Sequence, residues 1–143
     1  MLFRSLPSAN RHGGAATNAR HAANAAMYRR QRTTWVTMLR LEARRVGLVT
    51  PRLDLVPSRS VTITRLWAKG CRAWDDDNMV AACKGLRDAM QYERIVRRKG
   101  KLPRLIAGAG IVRDDSRQWS AWTYLQRKAD DGQAGVELVV CDA

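Results

Sequence analysis

The stretch Ser60-Val61-Thr62-Ile63-Thr64-Arg65-Leu66-Trp67, followed after a short polar passage by Asp75-Asp76-Asp77-Asn78, decides how this chain is read. In the first segment β-branched and apolar residues alternate. Val61, Ile63 and Trp67 fall on one side and Thr62, Thr64 and Leu66 on the other, the pattern of a strand. Beyond the aspartates, Met79, Val80, Cys83, Leu86, Ala89 and Met90 recur at helical spacing, which predicts a helix running to about Tyr92. Asp75 to Asp77 stand where acidic side chains cap and charge a helix N-terminus. Strand end and helix start therefore meet at three carboxylates.

Working outward, Leu2 to Pro7 reads as a short first strand broken at Pro7-Ser8-Ala9-Asn10-Arg11, and a polar Ala/Asn/Gly/Arg stretch follows. From about Arg32, Trp35, Val36, Leu39, Ala43 and Val46 repeat at helical spacing with Arg40, Arg44 and Arg45 largely opposite, and Gly47 and Pro51 supply the stop. Residues 93–110 read as a mobile basic loop containing Arg94, Arg97, Arg98, Lys99, Lys101 and Arg104, suited to gripping phosphates. Beyond a second acidic group, Arg113-Asp114-Asp115-Ser116, the segments Trp119–Leu125 and Val136–Cys141 read as two strands. Asp130-Asp131-Gly132 between them predicts a hairpin.

The totals narrow the function. The 143 residues fit one domain, residues 1–143, and the charge is +13 at pH 7. Up to Arg52 there are ten arginines and a single acid, Glu42. Such an arginine-rich half favours nucleic acid as partner over an anionic membrane surface. Cys71, Cys83 and Cys141 form neither a C-x-x-C pattern nor an even set, so they read as reduced, mostly buried thiols rather than disulfides or zinc ligands. No apolar run has the length of a signal peptide or a membrane span, which predicts a cytoplasmic protein, associated with the nucleoid through DNA. A nucleotide-hydrolysing enzyme is disfavoured by the lack of a Gly-rich phosphate loop. Ser/His/Asp hydrolysis is disfavoured because His12 and His21, the only histidines, lie in the polar N-terminal stretch.

Two tight acidic clusters in so basic a chain suggest a divalent cation held against a polyanion. Mg²⁺ takes oxygen donors and keeps several waters, so two or three carboxylates plus a substrate phosphate complete a site, and the cation assists phosphodiester hydrolysis. Asp75 and Asp77, two apart, point the same way if the approach to the helix is extended, and Asp115 would be the third ligand. The plainer reading makes Asp75–Asp77 a cap, Asp114-Asp115 a turn, and Lys84 with Asp88 a solvated i,i+4 pair.

These residues, taken in order, resemble the RusA family of Holliday-junction resolvases, small Mg²⁺-dependent endodeoxyribonucleases often encoded by phages and prophages. The resemblance rests on Pro7-Ser8-Ala9-Asn10, on Asp75-Asp76-Asp77-Asn78 after a strand, on Lys84-Gly85-Leu86-Arg87-Asp88-Ala89-Met90, and on Gly110-Ile111-Val112-Arg113-Asp114-Asp115-Ser116. It implies an α/β (α+β) fold with a small mixed β-sheet flanked by helices, acting as a homodimer on branched DNA in recombination and repair. It also implies Asp75, Asp77 and Asp115 as catalytic carboxylates binding Mg²⁺, with Mn²⁺ able to substitute, and products ending in 5′-phosphate and 3′-hydroxyl. Lys84 corresponds to the family's catalytic lysine, but it follows Asn78 by six residues where the pattern has three. The offset returns it to within roughly 60° of the expected face, about 4.5 Å further along the helix. Contacts to DNA are expected from Asn10, Arg11, Lys69, Arg72, Arg97, Arg98, Lys99 and Lys101. The competing reading, from another class, is a non-catalytic basic DNA-binding module whose acidic clusters are structural.

Overall fold

In the computed structural model, residues 2–3, 18–48 and 52–143 are described, those at 2–3 and 18–27 by backbone alone. The elements in chain order are β1 (Leu2–Phe3), α1 (Asn18–Arg45), a single 3-10 turn (Leu53–Leu55), β2 (Arg59–Trp67), α2 (Asp76–Met90), β3 (Arg94–Val96), β4 (Arg104–Ile106), β5 (Ser120–Lys128) and β6 (Gly135–Asp142).

The alternating segment becomes β2, and its apolar run is buried because both of its edges are paired. β5 lies parallel to it on one side and β6 antiparallel on the other, in a four-stranded mixed sheet ordered β1-β6-β2-β5. Register puts Val61 and Ile63 of β2 level with Trp122 and Tyr124 of β5 and with Val140 and Leu138 of β6. This face receives Trp35, Val36, Leu39 and Ala43 from α1 and Met79, Cys83, Leu86, Ala89 and Met90 from α2. The result is a mixed α/β fold in which both helices cover one face of a small sheet. On the opposite face Leu125 and Val139 are about half exposed. No helix among the described residues is long and apolar enough to cross a membrane.

Three expectations about the elements are corrected. Helix α1 begins at Asn18 rather than near Arg32. The apolar periodicity starts only at Trp35, but Ala22, Ala23, Ala25 and Ala26 have high intrinsic helix propensity and extend the helix without any amphipathic signal. The end of α1 is as expected: Gly47 takes φ +73°, with Leu48 N–H donating to the Ala43 carbonyl at 2.8 Å and Gly47 N–H to that of Arg44 at 3.2 Å, a glycine-terminated helix cap.

The turn at Asp130-Asp131-Gly132 forms, with Gln133 N–H on the Asp131 carboxylate at 2.9 Å, but it does not join a hairpin. β2 lies between β5 and β6, and the connection passes the end of β2, where Ala129 N–H bonds the Trp67 carbonyl at 3.0 Å. The local turn chemistry is indifferent to an intervening strand. The intervening residues easily span two strand spacings of ~4.8 Å. The segment 93–110 is likewise not a plain loop: β3 and β4 pair with each other as a separate two-stranded ribbon.

The expectation of mostly buried thiols is also corrected: only Cys83 is buried, and Cys71 and Cys141, in the loop after β2 and near the end of β6 respectively, are exposed. Burial pushes the Cys83 thiol up to about 12, so it is both inaccessible and protonated. Titration of the native protein with an aromatic disulfide at pH 8 is therefore expected to release two equivalents of thiolate promptly, with the third appearing only on unfolding. Release of three equivalents at a single rate would place Cys83 outside the core.

Candidate functional site

The carboxylate cluster is set by the last residues of β2 and by β5 beside it. Arg65 lies over the Trp74 ring, 3.7 Å from its centroid, and donates to the Gln126 amide oxygen at 3.2 Å. Gln126 in turn accepts from Trp74 N–H at 3.0 Å and donates to the Trp74 carbonyl at 2.9 Å. This pins the residue before Asp75 to the C-terminal part of β5. Asp75 then caps α2. One of its oxygens accepts Asn78 N–H at 2.9 Å, and the Asn78 side-chain amide donates to the other. These two bonds hold the Asp75 carboxyl below the usual carboxylate range. Asp76 and Asp77 occupy the first turn, where the helix dipole favours negative charge. The extended approach ends at Asp75, so Asp77 is already helical. Lys69 and Arg72 are exposed on the loop leading in.

The second cluster is built at the other end. Asp114 accepts Ser116 N–H at 2.8 Å on its side chain and the Ser120 hydroxyl at 2.8 Å on its carbonyl, which ties it to the first residue of β5. Asp115 is exposed and accepts from Arg87 Nη2 at 3.3 Å. Arg87 also faces the Trp122 ring at 5.0 Å.

Asp75 thus stands near Gln126 and Asp114 near Ser120. Six residues of extended strand separate these anchors by about 20 Å. Within one chain Asp75 and Asp77 share the N-terminus of α2, but the extended approach that would point them the same way stops at Asp75, whose carboxylate is engaged by Asn78, and Asp115 is not brought to either. Among the described residues no three His, Cys, Asp or Glu side chains are placed to hold a metal ion together. The donors are of the right type for Mg²⁺, but one chain's set does not converge.

Lys84 is mostly exposed, with its ammonium 4.0 Å from Asp88. Seven residues beyond Asp77, it lies on the same helical stripe but about 10 Å further along. The plainer reading of Lys84 with Asp88 describes its placement. Of the expected DNA contacts, Arg97, Arg98, Lys99 and Lys101 are exposed between β3 and β4, at the Asp115 end of α2. Asn10 and Arg11, with the Pro7–Asn10 motif and His12, lie outside the described residues, as does the His21 side chain.

Sequence reasoning missed Arg87 as the partner of Asp115, and it missed Arg32 and Arg40. Arg32 donates to the Asp88 and Ala107 carbonyls at 3.0 and 2.9 Å, and Arg40 to the Gly108 carbonyl at 3.0 Å and to Glu93 at 3.1 Å. Their spacing in the sequence resembles that of any exposed helix arginine, and their partners lie 53 to 75 residues away.

Comparisons with known proteins give no assignment: no protein-family model, no curated protein and no solved structure matches the chain.

Two predictions follow from this geometry. Asparagine caps a helix about as well as aspartate, so Asp75→Asn is expected to keep the melting temperature near wild type, whereas Asp75→Ala lowers it. Equal melting temperatures for all three would mean that the Asp75 side chain does not stabilise the helix end. The Tyr28 hydroxyl donates to Asp88 at 2.7 Å and joins α1 to α2; burial first, then that bond, raises its pKa to about 12. A raised folded pKa means its contribution is intact below pH 10 and is lost as pH climbs toward 12. Urea unfolding is expected to show wild type about 1 kcal/mol more stable than Tyr28→Phe at pH 8, with the gap closing between pH 10 and 12. A gap unchanged over that range would mean Tyr28 does not titrate as described.

Proposed function

We propose that this chain is a divalent-metal-dependent, structure-selective DNA endonuclease of the RusA kind. It would act as a homodimer on four-way junctions in recombination and repair and leave 5′-phosphate and 3′-hydroxyl ends. What carries the reading is the meeting of β2's end with a helix N-terminus bearing Asp75, Asp76 and Asp77 in a chain of net charge +13. Three adjacent carboxylates exceed what capping requires, because Asp75 alone makes the cap bonds. Asp77 has no such structural task.

The separation of Asp115 from Asp75 and Asp77 gives the homodimer a specific role in this reading. If a two-fold axis related two copies with their α2 helices antiparallel, Asp115 of one could face Asp75 and Asp77 of the other, twice over. Mg²⁺, or Mn²⁺ in its place, would then be held across the interface, and Asp115 would exchange its Arg87 partner for the cation. Two composite sites related by a dyad match the approximate two-fold symmetry of a four-way junction. Each strand cut would use residues of both copies.

The second reading, a non-catalytic DNA-binding module, is favoured by the cap bonds of Asp75 and the ion pair of Asp115 with Arg87. A labelled synthetic four-way junction, with linear duplex and single strand as controls, separates the two. The nuclease is expected to make paired nicks near the branch in Mg²⁺, with Asp77→Asn or Asp115→Asn slowing cleavage at least ~100-fold. Mixed Asp77→Asn and Asp115→Asn proteins are expected to recover activity, since subunit exchange restores one intact composite site in each mixed dimer, about a quarter of the wild-type sites. Junction binding without cleavage in Mg²⁺ or Mn²⁺ would instead favour the binding module.

A further inference from the structure

The ribbon formed by β3 and β4 carries Arg94, Arg97, Arg98, Lys99, Lys101 and Arg104, and no acid occurs between residues 94 and 106. It also displays apolar side chains that nothing among the described residues covers: Leu102 is 90% exposed, Ile95 63% and Leu105 60%. Ile95 stands directly opposite Leu105 in the register, so these two form one apolar patch on a single face, and Leu102 lies in the tip beyond it.

An isolated two-stranded ribbon is only marginally stable in water, and this one is held at its root. Arg32 and Arg40 of α1 clamp the carbonyls of Ala107 and Gly108, and Arg40 pairs with Glu93. On the far side of the ribbon, Ala109 N–H bonds the Ala89 carbonyl at 2.7 Å and Gly110 N–H that of Gln91 at 3.1 Å. The approach is so close that a Cβ at Gly108 would meet the Gln91 carbonyl oxygen at 2.0 Å. The base is fixed and the tip projects.

Six cations without a carboxylate disfavour a second copy of the same ribbon as occupant, because like charges would be brought together, and they suit a polyanion. Phosphate contacts explain the cations but not the leucines. A two-stranded ribbon is slim enough to enter a DNA groove, and leucine or proline side chains inserted at base steps act as wedges. Opening a stacked step is costly in continuous duplex and less so where stacking is already interrupted. A branch point is such a place.

We propose that the β3–β4 ribbon is a branch-sensing arm, in which the cations grip phosphates while Leu102, backed by the Ile95–Leu105 patch, inserts at the open stack of a DNA branch. The arm supplies preference for branched over linear DNA. This inference rests on the DNA-binding part of the proposed function and is independent of cleavage.

The test uses full-length protein and a four-way junction carrying 2-aminopurine at the branch or, as a control, within an arm. Wild type is expected to raise fluorescence at the branch only. Leu102→Ala should lose that rise and about tenfold of the preference for junction over duplex, with duplex affinity little changed, while Leu102→Met retains both. Because Leu102 is exposed, its replacement leaves the core intact. Arg97→Gln, Arg98→Gln and Lys99→Gln combined should flatten the slope of log K against log salt by up to about 2.7.

An unchanged fluorescence rise and junction preference in Leu102→Ala would overturn the wedge, and an unchanged salt slope would take the ribbon off the DNA. Branch-specific fluorescence without cleavage would uphold the arm while the nuclease reading fell. Cleavage by wild type with Leu102→Ala indistinguishable from it would do the reverse.

Discussion

The parallel pairing of β2 with β5 is the constraint from which the rest of the arrangement follows. In a parallel pair the segment leaving one strand and the segment entering the other emerge at opposite ends. Asp75 follows β2 and Asp115 precedes β5, so the pairing sends the two acidic groups apart, and α2 with the ribbon spans the distance between them. The same pairing makes β2 the central strand, with Val61, Ile63 and Leu66 in the interior, and places Gln126 where it can hold Trp74 and fix the start of α2. Packing and site placement are thus one decision taken at the sheet.

Charge is divided between interior and surface in a way that a net value hides. Arg59 is 4% exposed and donates to the Asp142 carboxylate at 2.8 Å, with further bonds to the Leu48 and Ile111 carbonyls. It joins the start of β2 to the end of β6 and to two loops. Arg32 and Arg40 hold the ribbon root, and Arg65 and Arg87 lie against indole rings. Guanidinium suits these tasks, because its planar fork satisfies several carbonyls at once and stacks on aromatic faces while remaining charged. Among the described residues the arginines free to meet a polyanion are therefore fewer than the composition suggests, and Arg97, Arg98 and Arg104 of the ribbon are among them.

The elements written in strong local periodicity were legible in the sequence. β2 and α2 fall within a residue or two of their expected bounds because alternation and 3.6-residue spacing are local properties. The cap at Asp75 was legible for the same reason, since its partner Asn78 is three residues away. What could not be read depends on distant contacts. The sequence around Asp130-Asp131-Gly132 describes a turn but not which strand lies between its arms. The first half of α1 has helix-forming alanines without an apolar stripe. Nothing near Asp115 announces Arg87, and spacing alone could not tell that the two acidic groups sit at opposite ends of a strand.

The glycine at position 108, with the carbonyl of Gln91 pressed against it and two arginines holding its own carbonyl and that of Ala107, makes the ribbon a separable module. No side chain fits at this point, so the root is intolerant of change. Among the described residues the tip is exposed throughout, and it is free to lengthen, shorten or be recoded. A fold divided in this way can vary the side chains its arm presents without renegotiating its folding, because variation in the arm is insulated from the sheet and helices that position the carboxylates.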